Sequence, residues 1–225
     1  MELENFVAFL FRWIHFFAGV TWIGILYYFN FIQTEFFKET DATAKSAAIS
    51  KLVPRALWWF RYGALFTFLS GLALAGFLGA AMNYYLMMGM LMGTLMFLNV
   101  WLIIWPAQKI VIASTDKVLA GGEADPAAAG CLAKAGLASR TNTLFSLPML
   151  FFMGASAHLS GIGRVPMSSS EGGTSMLAII LTLVIILALQ ANAIKGKTGP
   201  MTSVVGVIHS GIGLGAVLLL IVEFL

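Results

Sequence analysis

The sequence predicts an all-α integral membrane protein, a single domain over residues 1–225 that forms a bundle of six transmembrane helices. Two observations lead to this fold class. Of the 225 residues, 60% are hydrophobic and 10% are charged, whereas a soluble domain usually has about 25% charged residues. Apolar segments long enough to cross a bilayer recur along the chain, and they lack the period-2 alternation of a membrane β-barrel. A soluble enzyme is therefore excluded.

The six predicted spans are separated by polar or glycine-containing connections. They cover residues 6–31, 56–82, 84–105, 143–160, 175–194 and 202–225. Two connections are predicted to contain cytoplasmic loop helices. Residues 41–52 have a helix-forming composition, and residues 110–140 extend the third span, break at Gly121 and Gly122, and then resume as a helix.

Basic residues are concentrated in three of the connections. They are Lys38, Lys45, Lys51, Arg55, Lys109, Lys117, Lys134, Arg140, Lys195 and Lys197. In the connections on the other side of the membrane, Arg164 is the only basic residue. Because cytoplasmic loops are enriched in Lys and Arg, this asymmetry predicts that both termini lie outside, in the periplasm. The predicted location is a bacterial inner membrane, crossed several times.

All three histidines lie in predicted spans, where a polar side chain is costly and usually faces the bundle interior. Neutral imidazole is a common axial ligand of haem iron, and a helical bundle can hold a b-type haem between facing helices. A rise of about 1.5 Å per residue puts His15 and His209 at similar depths, so they are the predicted iron ligands. His158 is the alternative partner of His15. Arg12 is predicted to bind a haem propionate or to pair with Glu223.

The single cysteine, Cys131, restricts how a redox cofactor could be held. One cysteine cannot form a disulfide framework, a cysteine-rich zinc site or the C-x-x-C-H attachment of c-type haem. A redox cofactor of this chain must therefore use other ligands.

Three segments resemble a known family. They are FRWIHFFAGVTWIGILYYFNF, LNVWLIIWPAQK and SRTNTLFSLPMLFFMGASAH, at residues 11–31, 98–109 and 139–158. Together they resemble the membrane domain of the bacterial membrane-bound urate oxidases, in which a multi-span helical domain is usually fused to a C-terminal cytochrome c. The first segment is also similar, more weakly, to the haem-binding membrane protoporphyrinogen oxidases. Since the sequence ends after span six without C-x-x-C-H, the resemblance implies a stand-alone version that needs a separate electron acceptor.

The motifs that carry the resemblance place polar side chains at the cytoplasmic edge of the spans. Asn99 lies in the inner half of the third span, Lys109 follows it at the edge, and Arg140 and Asn142 enter the fourth span from the same side. The resemblance implies a catalytic pocket in which these four residues orient an anionic, purine-like substrate. An ordinary aromatic and basic interface belt is the alternative interpretation.

The predicted function is that of a membrane redox protein that passes electrons from a small substrate, through b-type haem, to a separate cytochrome c or to quinone. A non-catalytic subunit of a larger respiratory or oxidase complex, or a homo-oligomer, is an alternative. A small proton or anion transporter is another, although the sequence shows no internal repeat. The sequence predicts that the protein contacts membrane lipid, and it does not indicate a nucleic-acid partner.

Overall fold

The computed structural model describes residues 3–78, 82–159 and 173–225, and in these ranges the chain is helical without strands. The α-helices are α1 Leu3–Tyr27, α2 Thr34–Glu39, α3 Ala42–Ala47, α4 Val53–Leu78, α5 Tyr84–Asn99, α6 Trp105–Leu119, α7 Ala128–His158, α8 Met176–Lys195 and α9 Val204–Phe224. Three π-helical turns connect consecutive α-helices so that the helix continues without a break. Tyr28–Gln33 joins α1 to α2, Ala48–Leu52 joins α3 to α4, and Val100–Ile104 joins α5 to α6. A 3₁₀ helix, Gly199–Thr202, precedes α9.

Five helical segments are long and apolar enough to cross a membrane. They are Leu3–Glu39, Ala42–Leu78, Tyr84–Leu119, Met176–Lys195 and Val204–Phe224. The predicted all-α membrane fold is therefore confirmed, whereas the count of six spans and the orientation of the termini stay predictions. The end of the predicted second span at residues 79–81, Ser160 at the end of the fourth span, and the loop with Arg164 lie outside the described residues.

The fourth predicted span coincides with α7, which is helical but is not among the five apolar segments. A run of its polar side chains is buried: Arg140, Thr141, Asn142, Thr143 and Ser146. α7 packs against α1, α5, α6, α8 and α9, so it is the central helix of the described bundle. Because its neighbours shield it from lipid, this helix can carry polar residues that a lipid-facing helix could not.

α9 approaches the backbone of α7 where proline interrupts the hydrogen bonds of α7. Pro148 has no N–H group, so the carbonyl of Leu144 loses its usual helical partner. Gly211 and Gly215 of α9 face this point, and a Cβ atom added at Gly211 would lie 3.0 Å from the carbonyl oxygen of Leu144. A row of small residues is the usual way in which membrane helices come this close.

The contact between α1 and α4 depends on Gly63. A Cβ atom at this position would lie 3.1 Å from the backbone nitrogen of Trp22 and 3.3 Å from the carbonyl oxygen of Ala18. Since both atoms belong to the backbone of α1, Gly63→Ala must push the helices apart. We expect it to lower the free energy of unfolding by roughly 1–3 kcal/mol, measured as a lower thermal midpoint in detergent.

The matched control for this prediction is Gly76→Ala in the same helix. No heavy atom outside its own helix backbone and chain neighbours lies within 4 Å of a Cβ at Gly76, and alanine favours the helix over glycine by about 0.5–1 kcal/mol. The control should leave the midpoint unchanged or raise it. Equal midpoints for the two variants would show that the close approach at Gly63 does not contribute to stability.

Candidate functional site

Several polar side chains meet at one level near the basic ends of the spans. α7 is linked to the π-helical turn that follows α1 by a hydrogen bond of 2.8 Å from Asn30 Nδ2 to Ser139 Oγ. It is tied to α5 by a hydrogen bond of 2.9 Å from Asn99 Nδ2 to Asn142 Oδ1. Ser139 and Asn142 lie within one turn of α7, so both contacts have nearly the same depth. The residues at this level, called the polar layer below, are Asn30, Arg61, Asn99, Trp101, Arg140 and Asn142.

Asn99 and Asn142, which were predicted to share a pocket, are in direct contact and almost fully buried. Gln190 of α8 joins them: Asn99 Nδ2 donates to Gln190 Oε1 at 3.0 Å, and Gln190 Nε2 donates to Asn99 Oδ1 at 2.7 Å. Asn142 Nδ2 donates to the carbonyl oxygen of Met96 at 3.0 Å. These amides bind one another, so the cluster links α5, α7 and α8 and holds the polar layer in place.

Asn99→Ala is expected to destabilise the protein because it leaves polar groups of Asn142 and Gln190 buried without partners. The expected loss is about 1–3 kcal/mol of unfolding free energy. A double-mutant cycle with Gln190→Ala checks it: the two losses should be clearly less than additive, since both variants remove the same pair of hydrogen bonds. Strict additivity in chemical unfolding would contradict the coupling seen in the structure.

Three buried N–H donors of the polar layer have no hydrogen-bond acceptor among the described residues. They are Nη1 of Arg140, Nε of Arg61 and Nε1 of Trp101. Tyr62, next to Arg61 in α4, contacts the ring of Trp101 edge to face, with 6.0 Å between the ring centroids. A buried donor without an acceptor is costly. An oxygen-rich anion would supply the acceptors that these donors lack.

Arg140 is the most buried cation of the layer, with 6% of its surface exposed. It lies three residues before the predicted fourth span. Burial lowers the pKa of its guanidinium, and the carboxylate of Glu35 acts in the opposite direction. Because arginine starts from a very high pKa, the side chain stays charged at neutral pH.

Lys109, the fourth predicted catalytic residue, lies apart from the amide cluster. Its side chain is exposed, with Nζ 5.6 Å from the centroid of the Trp105 ring. The guanidinium of Arg61 lies over the same ring at 3.7 Å, a close cation–π contact. Lys109 therefore lies at the rim of the layer beside Arg61. Arg61 was not among the site residues predicted from the sequence, although it is the only charged residue in the predicted span 56–82.

His15 lies between α1 and α4 in a defined tautomer. Its Nδ1 is 3.1 Å from the hydroxyl oxygen of Ser70, and that hydroxyl donates its one proton to the carbonyl oxygen of Phe66 at 2.6 Å. Nδ1 must therefore donate to Ser70, which leaves the lone pair on Nε2. Gly71 gives the ring room, since a Cβ atom there would lie 3.1 Å from His15 Cε1.

His209 has the same tautomer as His15, but it is exposed and its hydrogen bond stays within its own helix. Its Nδ1 lies 2.8 Å from the carbonyl oxygen of Val205, which can only accept a hydrogen bond, so Nε2 again carries the lone pair. The side chain is exposed and points about 200° around α9 from Gly211, the residue that packs on α7. The structure does not bring His209 and His15 to a common cavity.

Arg12 and His158 are also exposed. The predicted ion pair between Arg12 and Glu223 is not formed: Glu223 accepts a hydrogen bond from the hydroxyl of Tyr85. Over the described ranges the one ion pair joins Lys38 and Glu35. In the same ranges, no group of three or more His, Cys, Asp or Glu side chains is placed to hold a metal ion.

The fold defines a helical, multi-pass membrane protein, and its polar layer contains one buried cation, Arg140. The sequence model of the urate oxidase N-terminal family matches residues 77–190. Because this is half of the chain, the protein belongs to that family, as its motifs indicated. The match contains Asn99, Lys109, Arg140, Asn142 and His158, whereas Arg12, His15 and His209 lie outside it. Neither the curated proteins nor the solved structures contain a match.

Proposed function

We propose that this protein is the membrane component of an oxidoreductase that acts on a small, anionic, purine-like substrate and delivers electrons to a separate cytochrome c or to quinone. The observation that carries the proposal is a pair of buried N–H donors without an acceptor among the described residues, Nη1 of Arg140 and Nε1 of Trp101, within the segment that matches the urate oxidase N-terminal family. Nε of Arg61, outside that segment, is a third such donor. A urate-like anion has several carbonyl oxygens that could accept from such donors.

In this proposal the residues of the polar layer have different tasks. Arg140 neutralises the anion and, with Trp101 and Arg61, donates hydrogen bonds to its oxygens. Asn99 and Asn142 hold the surrounding helices at the right spacing rather than touch the substrate. Lys109, at the rim beside Trp105, attracts the anion from the cytoplasmic side.

We further propose that His15 is an axial ligand of a b-type haem. The residues around it fit this role, because Ser70 fixes the ring through Nδ1 and leaves the Nε2 lone pair for iron, an arrangement common among metal-bound histidines. His209 fits by tautomer but faces away from α7, so His209 and His158 are the two proposed sources of a second ligand. A bound haem would supply one-electron redox chemistry, and Arg12 remains the proposed partner of a propionate.

The proposal is tested with proteoliposomes that contain the purified protein. Addition of urate should lead to reduction of added cytochrome c or of a water-soluble quinone, followed by absorbance. Liposomes with Arg140→Gln should show little of this activity, while Lys134→Gln, a neutral change at an exposed cation of the same helix, should behave as the parent protein. Absence of urate-dependent reduction with both acceptors would contradict the proposed activity.

One observation favours a second candidate, a subunit that binds laterally to other membrane proteins. Arg12, His158 and His209 expose polar side chains on the outside of the described bundle, within or at the ends of predicted spans, where lipid would oppose them. Contact with a partner helix would satisfy them. Co-purification of a stable complex whose activity survives His15→Ala and His209→Ala would favour this role over the redox proposal.

A further inference from the structure

A cavity of about 480 Å³ lies between α7, α8 and α9, on the side of the bundle that carries the basic residues. It is separate from the polar layer described above. Lys197 and Thr198, in the connection before α9, line one end of it, which we call the mouth, and Leu189, Leu214 and Val217 line its apolar walls further along α8 and α9. The cavity therefore combines a basic entrance with an apolar interior.

The connection that forms the mouth has a defined conformation. The side-chain amide of Asn192 forms two hydrogen bonds with the backbone of Lys197 in this connection. Asn192 Nδ2 donates to the carbonyl oxygen of Lys197 at 3.0 Å, and Lys197 N donates to Asn192 Oδ1 at 3.2 Å. Gly199 then turns the chain with φ of 51°, in the left-handed region that favours glycine. The ammonium of Lys197 has neither an ion pair nor a hydrogen bond within the described residues. The backbone of Lys197 is thus fixed at the mouth, and its ammonium is available to an anion.

The wall formed by α9 follows one face of that helix. Ser210, Leu214 and Val217 are spaced by four and three residues, so they form a row about 10 Å long that leads inward from the mouth. Val217 is 47% exposed and belongs to an apolar helix of membrane-spanning length. The cavity is therefore open to the hydrocarbon region along α9, which a pocket for a water-soluble molecule would not require.

We propose that this cavity binds one anionic phospholipid, with its phosphate at Lys197 and Thr198 and an acyl chain along Leu189, Leu214 and Val217. Basic pockets between transmembrane helices on the cytoplasmic side bind anionic head groups. A zwitterionic lipid would gain less from Lys197, and free phosphate would leave the apolar walls unfilled. The phosphate chemistry is common to lipid and free anion, so the test must separate the two sources.

Two pairs of matched variants test the site. Lys197→Gln removes the cation at the mouth, and Lys195→Gln removes another exposed cation that does not line the cavity. Val217→Trp fills the apolar slot, and Leu220→Trp adds the same bulk at an exposed position of α9 outside it. All four positions are exposed, so the variants should fold, which monodisperse size exclusion confirms before measurement.

Each protein is reconstituted into phosphatidylcholine nanodiscs with a minor fraction of phosphatidylglycerol, re-extracted in mild detergent and analysed by native mass spectrometry. The parent protein, Lys195→Gln and Leu220→Trp should retain one phosphatidylglycerol. Lys197→Gln should retain roughly fivefold less, as expected for the loss of about 1 kcal/mol per basic residue, and Val217→Trp should lose it as well.

Four results would overturn the proposal. One is equal retention of phosphatidylglycerol by Lys197→Gln and Lys195→Gln, and another is retention of phosphatidylcholine in its place. A third is binding of inorganic phosphate that depends on Lys197 but is unaffected by Val217→Trp, which would identify a site for a soluble anion. The fourth is a quinone that co-purifies and is lost on Val217→Trp. None of these measurements depends on redox activity, so the outcome is independent of the function proposed above.

Discussion

His15→Ala is expected to remove most of the bound haem from the purified protein. The variant deletes the nitrogen that is proposed to bind iron, while the helix contact at Gly63 stays in place. The measurement is the ratio of Soret to protein absorbance after purification from cells supplied with haem precursor. Far-ultraviolet circular dichroism and size exclusion show whether the variant is folded.

Ser70→Ala separates ligation from packing at this site. It keeps the imidazole but removes the acceptor of Nδ1–H, and loss of such an outer partner typically weakens metal affinity by roughly 10–100-fold. Haem retention should therefore fall between those of the parent protein and His15→Ala. In the same assay, His209→Ala and His158→Ala assign the second ligand. Full haem retention by a folded His15→Ala protein would contradict the role of His15.

Arg140→Gln is expected to weaken binding of urate by roughly 10–100-fold, because a charged hydrogen bond in a buried site contributes about 1.5–3 kcal/mol. Glutamine keeps a donor and much of the volume but loses the charge. The dissociation constant is measured by isothermal titration with urate in detergent. Its pH dependence should not involve Arg140, since the guanidinium remains charged over the working range.

Lys134→Gln is the matched control for this prediction. Both changes remove one positive charge from α7, but Lys134 is exposed and six residues, about 1.7 turns, away from Arg140. The control should bind urate as the parent protein does. Equal weakening in the two variants would indicate general electrostatic attraction rather than a contact in the polar layer, and no weakening in either would remove Arg140 from the proposed site.

Depth along the membrane could be predicted from the sequence, because it follows from counting residues along helices of known rise. This is why Asn99 and Asn142 were expected at one level and are found in contact. α7 was also located as a helix, although its hydropathy is reduced by the polar residues that it buries in the centre of the bundle.

The direction in which a side chain points around its helix could not be predicted in the same way. His209 has a suitable depth, but the direction in which it points depends on which face of α9 packs against α7. That face is the one with Gly211 and Gly215, which contact α7 around Pro148. The same limit applies to Arg61 and Gln190. The sequence shows Arg61 as a charged residue within a predicted span and Gln190 as a polar residue near the end of one. The residues that they contact, however, depend on how the helices cross.

Whether this protein is a haem-containing redox component of the membrane is decided by the absorption spectrum of the purified parent protein, together with pyridine haemochrome typing. The proposed haem protein should show a Soret band that shifts on reduction and a b-type haemochrome with about one haem per chain, the stoichiometry of a single bundle site. A folded protein from haem-replete cells that shows no Soret band and yields no extractable haem would contradict it.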